Sequence, residues 1–359
     1  MLDYSTPYIP DLKHLDFMRS KTVCFFNHGK VMKKSILRSL ADSFESAGIR
    51  VVYGDQDEKI DVYIFEKFLE PTRYDSVKII HAENLIGKET LEHSFNNADG
   101  IVYNSHWLRQ VYLNTFPTEI ANWEIIAPSL RFRPQDNRIG EYQIVCISKW
   151  WKRPFKRFPL IAEAFALLTE DDSYRDAKLH VFGWVTNGKK LPYTSGLFPL
   201  VKLSRRAKNN KNIIYYQKSF SEGRNTYFEQ LHKSHLMIHM STIDSGPQVV
   251  TEAFANGVPL VVSNNMGGAE WMREIGPQSG IVLDIDELTD SYQKISKLPL
   301  YSRQLCSDIS HAPKVAEAMK TILDNPDYYS YVPPRKYRLE GTMDAWFELI
   351  QKAWQTKHA

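Results

Sequence analysis

The chain has 359 residues, 43% hydrophobic and 24% charged, which is long enough for two domains with ample cores because single cores stop growing below that length. A net charge of +3 is small for a protein that would hold nucleic acid mainly through its phosphates. No window reaches the ~20 apolar residues of a membrane span, the N-terminus lacks a basic start followed by an apolar core, and Cys24, Cys146 and Cys306 form no metal spacing; the expected location is cytoplasmic.

In chain order, KTVCFFNHG reads as an apolar strand ending in a glycine turn, and KKSILRSLADSFESAG as an amphipathic helix closed by Gly48. IRVVYG, IDVYIFE and VKIIHAE follow as strands, then a helix through HSFNNA and the strand DGIVYNS. Strands alternating with helices predict a doubly wound parallel sheet, which binds ligands at the carboxyl ends of its strands. His81 ends one such strand and is a candidate to face a ligand, while a buried or surface histidine with no chemical role is the plainer reading. Glu83 is a neighbouring acceptor contact or a helix cap.

The polar, Pro-containing stretch at 131–141 lacks periodicity and reads as a linker. It separates a first domain, 1–135, from a second, 136–335, and GTMDAWFELIQKAWQTK within 336–359 reads as an amphipathic helix. The second domain repeats the alternation through YQIVCIS, KLHVFGW, NIIYYQK, HLMIHMS and PLVVSN. After its first strand, KWWKRPFKRF brings Lys149, Lys152, Arg153, Lys156 and Arg157 together before a helix starting near Pro159. Cations beside a helix N-terminus suit a diphosphate, although a solvated basic loop has the same composition. No metal ligands are assigned, since these cations can take the place of a divalent ion.

Residues 241–270, STIDSGPQVVTEAFANGVPLVVSNNMGGAE, are the most informative. Asp244 and Glu252 stand eight positions apart, with Gly246 and Pro247 between them and QVVTEAFANG as a helix stopped at Asn256-Gly257. VPLVV then suits a buried parallel strand, and NNMGG a turn that brings backbone close to a neighbour. A carboxylate near each end of the helix fits a site that grips hydroxyl groups. Asp244 alone also fits an Asx turn, and Glu252 a complement to the helix dipole.

This block resembles the nucleotide-sugar half of the retaining glycosyltransferases of family 4, with Asp244 at the family's first Glu and Glu252 at its second. IVCISKWWKRPFKRFPLIAEAFALL resembles the family's strand, phosphate loop and helix and places Lys156 at the family's Lys. Lys149, Lys152 or Arg153 would replace the companion Arg. Weaker similarity covers LHVFGW, which holds Gly183, and GIVYNSHWLRQVY. The resemblance implies a GT-B architecture: α/β, with two Rossmann-like doubly wound domains facing a cleft and a last helix crossing back to the first domain. It implies that Glu252 binds the ribose and that Asp244 or the backbone of Ser245, Gly246, Pro247, Gln248 and Val249 grips the sugar. Gly29, in a shortened glycine loop beside His28 and Lys30, would approach the diphosphate, His81 would lie by the reacting sugar, and backbone near Tyr216–Lys218 would frame the base.

The implied reaction is front-face, retaining, metal-independent transfer from a UDP- or GDP-type sugar, with no cofactor, to a hydroxyl of a glycan or lipid-linked saccharide. A nucleic-acid partner is less favoured: the basic tract 202–212 beside aromatic residues would suit a glycosyltransferase acting on a hydroxymethylated DNA base. The same two-domain pattern is also compatible with a non-catalytic sugar-nucleotide binding protein or a nucleotide-sugar epimerase.

Overall fold

The computed structural model describes residues 12–26, 36–54, 59–66, 69–70, 72, 74–82, 88–116, 120–128, 130–133, 140–148, 154–183, 203–216, 224–298 and 308–359. Packing divides the chain into two units, one of residues 3–131, 290–296 and 334–359, the other of residues 1–2, 132–289 and 297–333.

The first unit holds strands β1 (Thr22–Phe26), β2 (Arg50–Tyr53), β3 (Val62–Glu66), β4 (Val77–Ala82), β5 (Gly100–Tyr103) and β6 (Trp123–Ile125). They form one parallel sheet in the order β2-β1-β3-β4-β5-β6. Helix α1 (Leu15–Arg19) precedes β1, and α2 (Ile36–Ser46), α3 (Lys88–Asn96) and α4 (His106–Leu113) lie between strands, as parallel pairing requires crossovers. β3 and β4 are buried along nearly their whole length, which is why they read as apolar runs rather than alternating ones.

The second unit holds β7 (Gln143–Ile147), β8 (Lys178–Phe182), β9 (Ile213–Tyr215), β10 (Leu236–His239), β11 (Leu260–Ser263) and β12 (Gly280–Leu283). All pairs are again parallel, in the order β12-β11-β10-β7-β8-β9. Among them run α5 (Phe158–Leu168), α6 (Arg205–Asn209), α7 (Arg224–Lys233), α8 (Gln248–Ala255) and α9 (Gly267–Ile275). Three further helices follow along the chain: α10 (Tyr292–Lys297), α11 (Ala312–Asp324) and α12 (Leu339–His358). α5 is apolar on every side because it is almost wholly buried, packed with α11 and the sheet in one core.

β6 and β12 extend the strands read from sequence. Each closes an edge of its sheet and is only half-buried along most of its length, so neither carries a long apolar run. α12 packs Met343, Trp346, Phe347, Leu349, Ile350 and Ala353 into the core that β1, β3 and β4 build with α2. The Gly267-Gly268 pair, expected as a loop, is the first turn of α9. A Cβ on Gly268 would lie 3.0 Å from Val250 and 3.1 Å from Pro247, so the missing side chain is what lets α9 approach the start of α8.

Candidate active site

In the second sheet β7 and β10 are neighbours, and the strands that follow each run outward in opposite directions. This is a topological switch point, where the loops leaving adjacent strands diverge and open a crevice at the carboxyl ends. The loop after β7 ends in a 3-10 turn, Pro154–Lys156, and the loop after β10 carries Asp244. The two loops are joined by backbone, the amide of Thr242 donating to the carbonyl of Phe155 at 2.8 Å.

Across that joint the Lys156 ammonium donates to Asp244 Oδ2 at 2.5 Å, with the two side chains 10% and 18% exposed. His239, the last residue of β10, brings Nε2 within 3.3 Å of the same oxygen. Burial favours the neutral Asp244 carboxyl, but the Lys156 charge and the His239 hydrogen bond outweigh it and hold the group well below the usual carboxylate range. His239 is pushed down by burial and by the Lys156 charge, against the pull of Asp244. Its neutral ring must then carry the proton on Nε2 to face the carboxylate. Among the described residues Asp244 Oδ1 has no hydrogen-bond partner, while the Asp244 carbonyl accepts from the Gly267 amide at 2.9 Å. One carboxylate oxygen is thus fixed and the other is left to accept.

Arg157, expected among the cations of the basic loop, points elsewhere. Its guanidinium makes a two-toothed pair with Asp286, Nη1 to Oδ2 at 3.1 Å and Nη2 to Oδ1, with side chains only 7% and 6% exposed. Its backbone is left-handed, φ 49°, at the N-cap of α5. Burial pushes the Asp286 carboxyl up more than Arg157 pulls it down. Asn264, the residue after β11, holds the Asp286 loop: its Oδ1 accepts from the amides of Ile285 and Asp286, and its Nδ2 donates to Asp284 Oδ1 and the Asp286 carbonyl. Asn265 donates to the Thr242 carbonyl at 2.9 Å and exchanges hydrogen bonds with Thr289.

The sequence pattern points Lys156 and Asp244 at two different groups of a ligand, and the structure brings them into one ion pair. Glu252 is not at the start of its helix; it is the fifth residue of α8, 1% exposed, a full turn beyond Gln248. The dipole reading of Glu252 fails for that reason. Ser245, Gly246 and Pro247 lead into α8, and Gln248 and Val249 begin it; no side chain caps this N-terminus. Gly183 follows β8 in the left-handed region, φ 74°, which glycine adopts without strain. Lys149, Lys152, Arg153, Gly29, His28, Lys30 and Glu83 lie outside the described residues.

In the first unit His81 is the penultimate residue of β4 and only 3% exposed. Its Nε2 meets Asn104 at 2.8 Å and its ring centroid is 6.1 Å from that of Trp346. The tract 202–212 folds over Arg205–Asn209 into a short helix capped by Ser204, and Arg206 is committed to Glu163 and Glu170. No metal ligands are expected from the sequence, although it holds two Asp-x-Asp triplets, at 55–57 and 284–286. The first lies outside the described residues; in the second, Asp284 is taken by Asn264 and Asp286 by Arg157.

His239 and Asp286 are site residues that sequence reasoning misses. A signal for His239 is present, since HLMIHMS holds a strand-end histidine as VKIIHAE does. Asp286 gives none, because nothing local shows that a residue 129 positions away will meet it.

Residues 132–309 match the family model described as glycosyl transferases group 1. That region belongs to the group 1 glycosyl transferases, and the chain has the GT-B fold. Among solved structures, sucrose-phosphate synthase from Thermosynechococcus elongatus is similar, with a TM-score of 0.57 at 11% identity over 94% of this chain and 98% of that one. WaaG, a glycosyltransferase involved in lipopolysaccharide biosynthesis, gives 0.55 at 12% identity over 93% and 99%. AviGT4, a glycosyltransferase involved in avilamycin A biosynthesis, gives 0.53 at 12% identity over 94% and 98%. No curated protein matches the sequence. No helix among the described residues of this transferase is long and apolar enough to cross a membrane.

Proposed function

We propose that this transferase moves a sugar, with retention at the anomeric carbon and without a metal ion, from a UDP- or GDP-type donor to a hydroxyl of a glycan or lipid-linked saccharide. The observation that carries the reading is the Lys156–Asp244 pair at the switch point. A diphosphate arriving beside Lys156 meets an ammonium already charged and aimed. The uncapped start of α8 adds backbone amides and the positive end of a helix dipole. Asp244 Oδ1 is the acceptor left for a sugar hydroxyl, and Glu252 is the candidate for the ribose.

In the step itself the bond from the anomeric carbon to phosphate oxygen breaks and a bond to the acceptor oxygen forms on the same face. The acceptor proton passes to the departing phosphate oxygen, whose charge Lys156 offsets. A front-face route needs no strong protein base. That fits Asp244, whose depressed carboxyl is a weak base and a poor match for deprotonating an alcohol.

The test is incubation with a panel of UDP- and GDP-sugars and saccharide acceptors, with and without EDTA. Nucleoside diphosphate release and the anomeric configuration of the product, by NMR coupling constants, are read together. Release that persists in EDTA with a retained anomer is the expected result. An inverted product, or strict dependence on added metal, would overturn the reading.

A further inference from the structure

Resting on the assignment of Lys156 to the leaving diphosphate, we propose that Arg157 and Asp286 are a positioning pair that fixes the Pro154–Lys156 turn and so aims the Lys156 ammonium at the donor. The backbone gives the first reason. Arg157 and His14 are the two non-glycine residues with positive φ among those described. An L side chain rarely holds that conformation unless its surroundings over-determine it, and glycine would adopt it freely. At Arg157 the surroundings are a two-toothed, buried pair with Asp286. A planar guanidinium gripping both carboxylate oxygens fixes direction as well as distance.

Asp286 is itself held at its amide and its carbonyl by Asn264. On the other side of Lys156, the Phe155 carbonyl is tied to Thr242, whose own carbonyl is held by Asn265. The residues before and after Lys156 are therefore both anchored, one to the loop after β10 and the other to the loop after β12. The two anchors meet at the adjacent residues Asn264 and Asn265. Lys156 has the flexible stem of any lysine, and the closed ring of bonds around its backbone leaves the stem a single root. Among the described residues the pair makes no hydrogen bond to the Lys156 ammonium or to Asp244; it acts through the backbone.

The experiment measures the dissociation constants of UDP and GDP by calorimetry for the full chain and for Lys156→Ala, Arg157→Gly, Asp286→Asn, the neutral double variant Arg157→Gly/Asp286→Asn, and the double variant Lys156→Ala/Asp286→Asn. Circular dichroism and melting confirm folding. For whichever nucleotide binds the parent, Lys156→Ala weakens binding by about tenfold or more, as loss of one charge-assisted hydrogen bond does. Arg157→Gly, which suits the left-handed backbone, and Asp286→Asn each weaken it by about as much. Asp286→Asn adds nothing once Lys156 is gone.

An equal further loss in the Lys156→Ala background would mean that Asp286 acts on the fold at large, and would overturn the proposal. So would folded pair variants with unchanged binding while Lys156→Ala loses it. If the single variants do not fold, the neutral double variant decides. Folded and weakened about tenfold, it supports the pair as a positioning device; folded and unchanged, or unfolded as well, it overturns that role. Unchanged binding in Lys156→Ala, or no binding of either nucleotide to the parent, removes the leaving-group reading and this proposal with it.

Discussion

Replacing Lys156 with Met keeps an unbranched stem in a site where the lysine side chain is 10% exposed, and deletes the ammonium alone. Two consequences follow from the geometry. The developing charge on the leaving phosphate loses a preorganised donor, a change of about 100-fold in turnover, or about 2.7 kcal/mol. The Asp244 carboxylate, 18% exposed, also loses its cation and keeps only His239, so its carboxyl rises from its depressed value. The double variant Lys156→Met/Asp244→Asn separates the two, because it has no stranded carboxylate. Nucleoside diphosphate release at saturating donor, measured beside the melting temperature, should show both variants slowed about 100-fold, with the double melting closer to the parent. Unchanged turnover in Lys156→Met, or full recovery in the double, would refute the electrostatic role of Lys156.

Trp346→Ala, at a side chain 2% exposed in the core of the first unit, should destabilise that unit by about 3–5 kcal/mol, read by calorimetric melting. Gly280→Ala should destabilise by more than ~1 kcal/mol, since φ is 133° and a Cβ would lie 2.0 Å from the Leu260 carbonyl oxygen; hydrogen exchange should show lost protection along Gly280–Leu283. His180 hydrogen-bonds Tyr216 and Gln143, and burial pushes it down to about 4 from 6.5. Between those values the unfolded chain binds the extra proton, so stability should fall as pH drops from about 6.5 towards 4. The slope of denaturant stability against pH should flatten in His180→Gln if this histidine is its source.

The doubly wound class is legible because β3, β4, β7, β10 and β11 are buried on both faces and carry apolar runs that only a covered parallel strand needs. The edge strands β6 and β12 are not, because an edge with half-exposed residues leaves no such run. In the site, Lys156 and Asp244 stand out by type and setting, yet their contact spans 88 positions and has no local signature. The start of α8 at Gln248 is legible in QVVTEAFANG, but Glu252 is its fifth residue, too far along to complement the dipole at the N-terminus. Arg157 reads as one cation of five; only the loop that brings Asp286 to it shows that its charge is already spoken for.

The first unit takes its whole sheet from residues before 131 and is finished by α12, which supplies Trp346, Phe347 and Ile350 to its core. Ribosomal synthesis therefore delivers the sheet of that unit long before the helix that covers part of it. The second unit, which ends at about residue 333, is synthesised while its predecessor still lacks the helix that covers its apolar face. The domain made first therefore cannot complete its core first, although domains made first commonly fold first. A nascent chain stalled before α12 would present that bare face to chaperones.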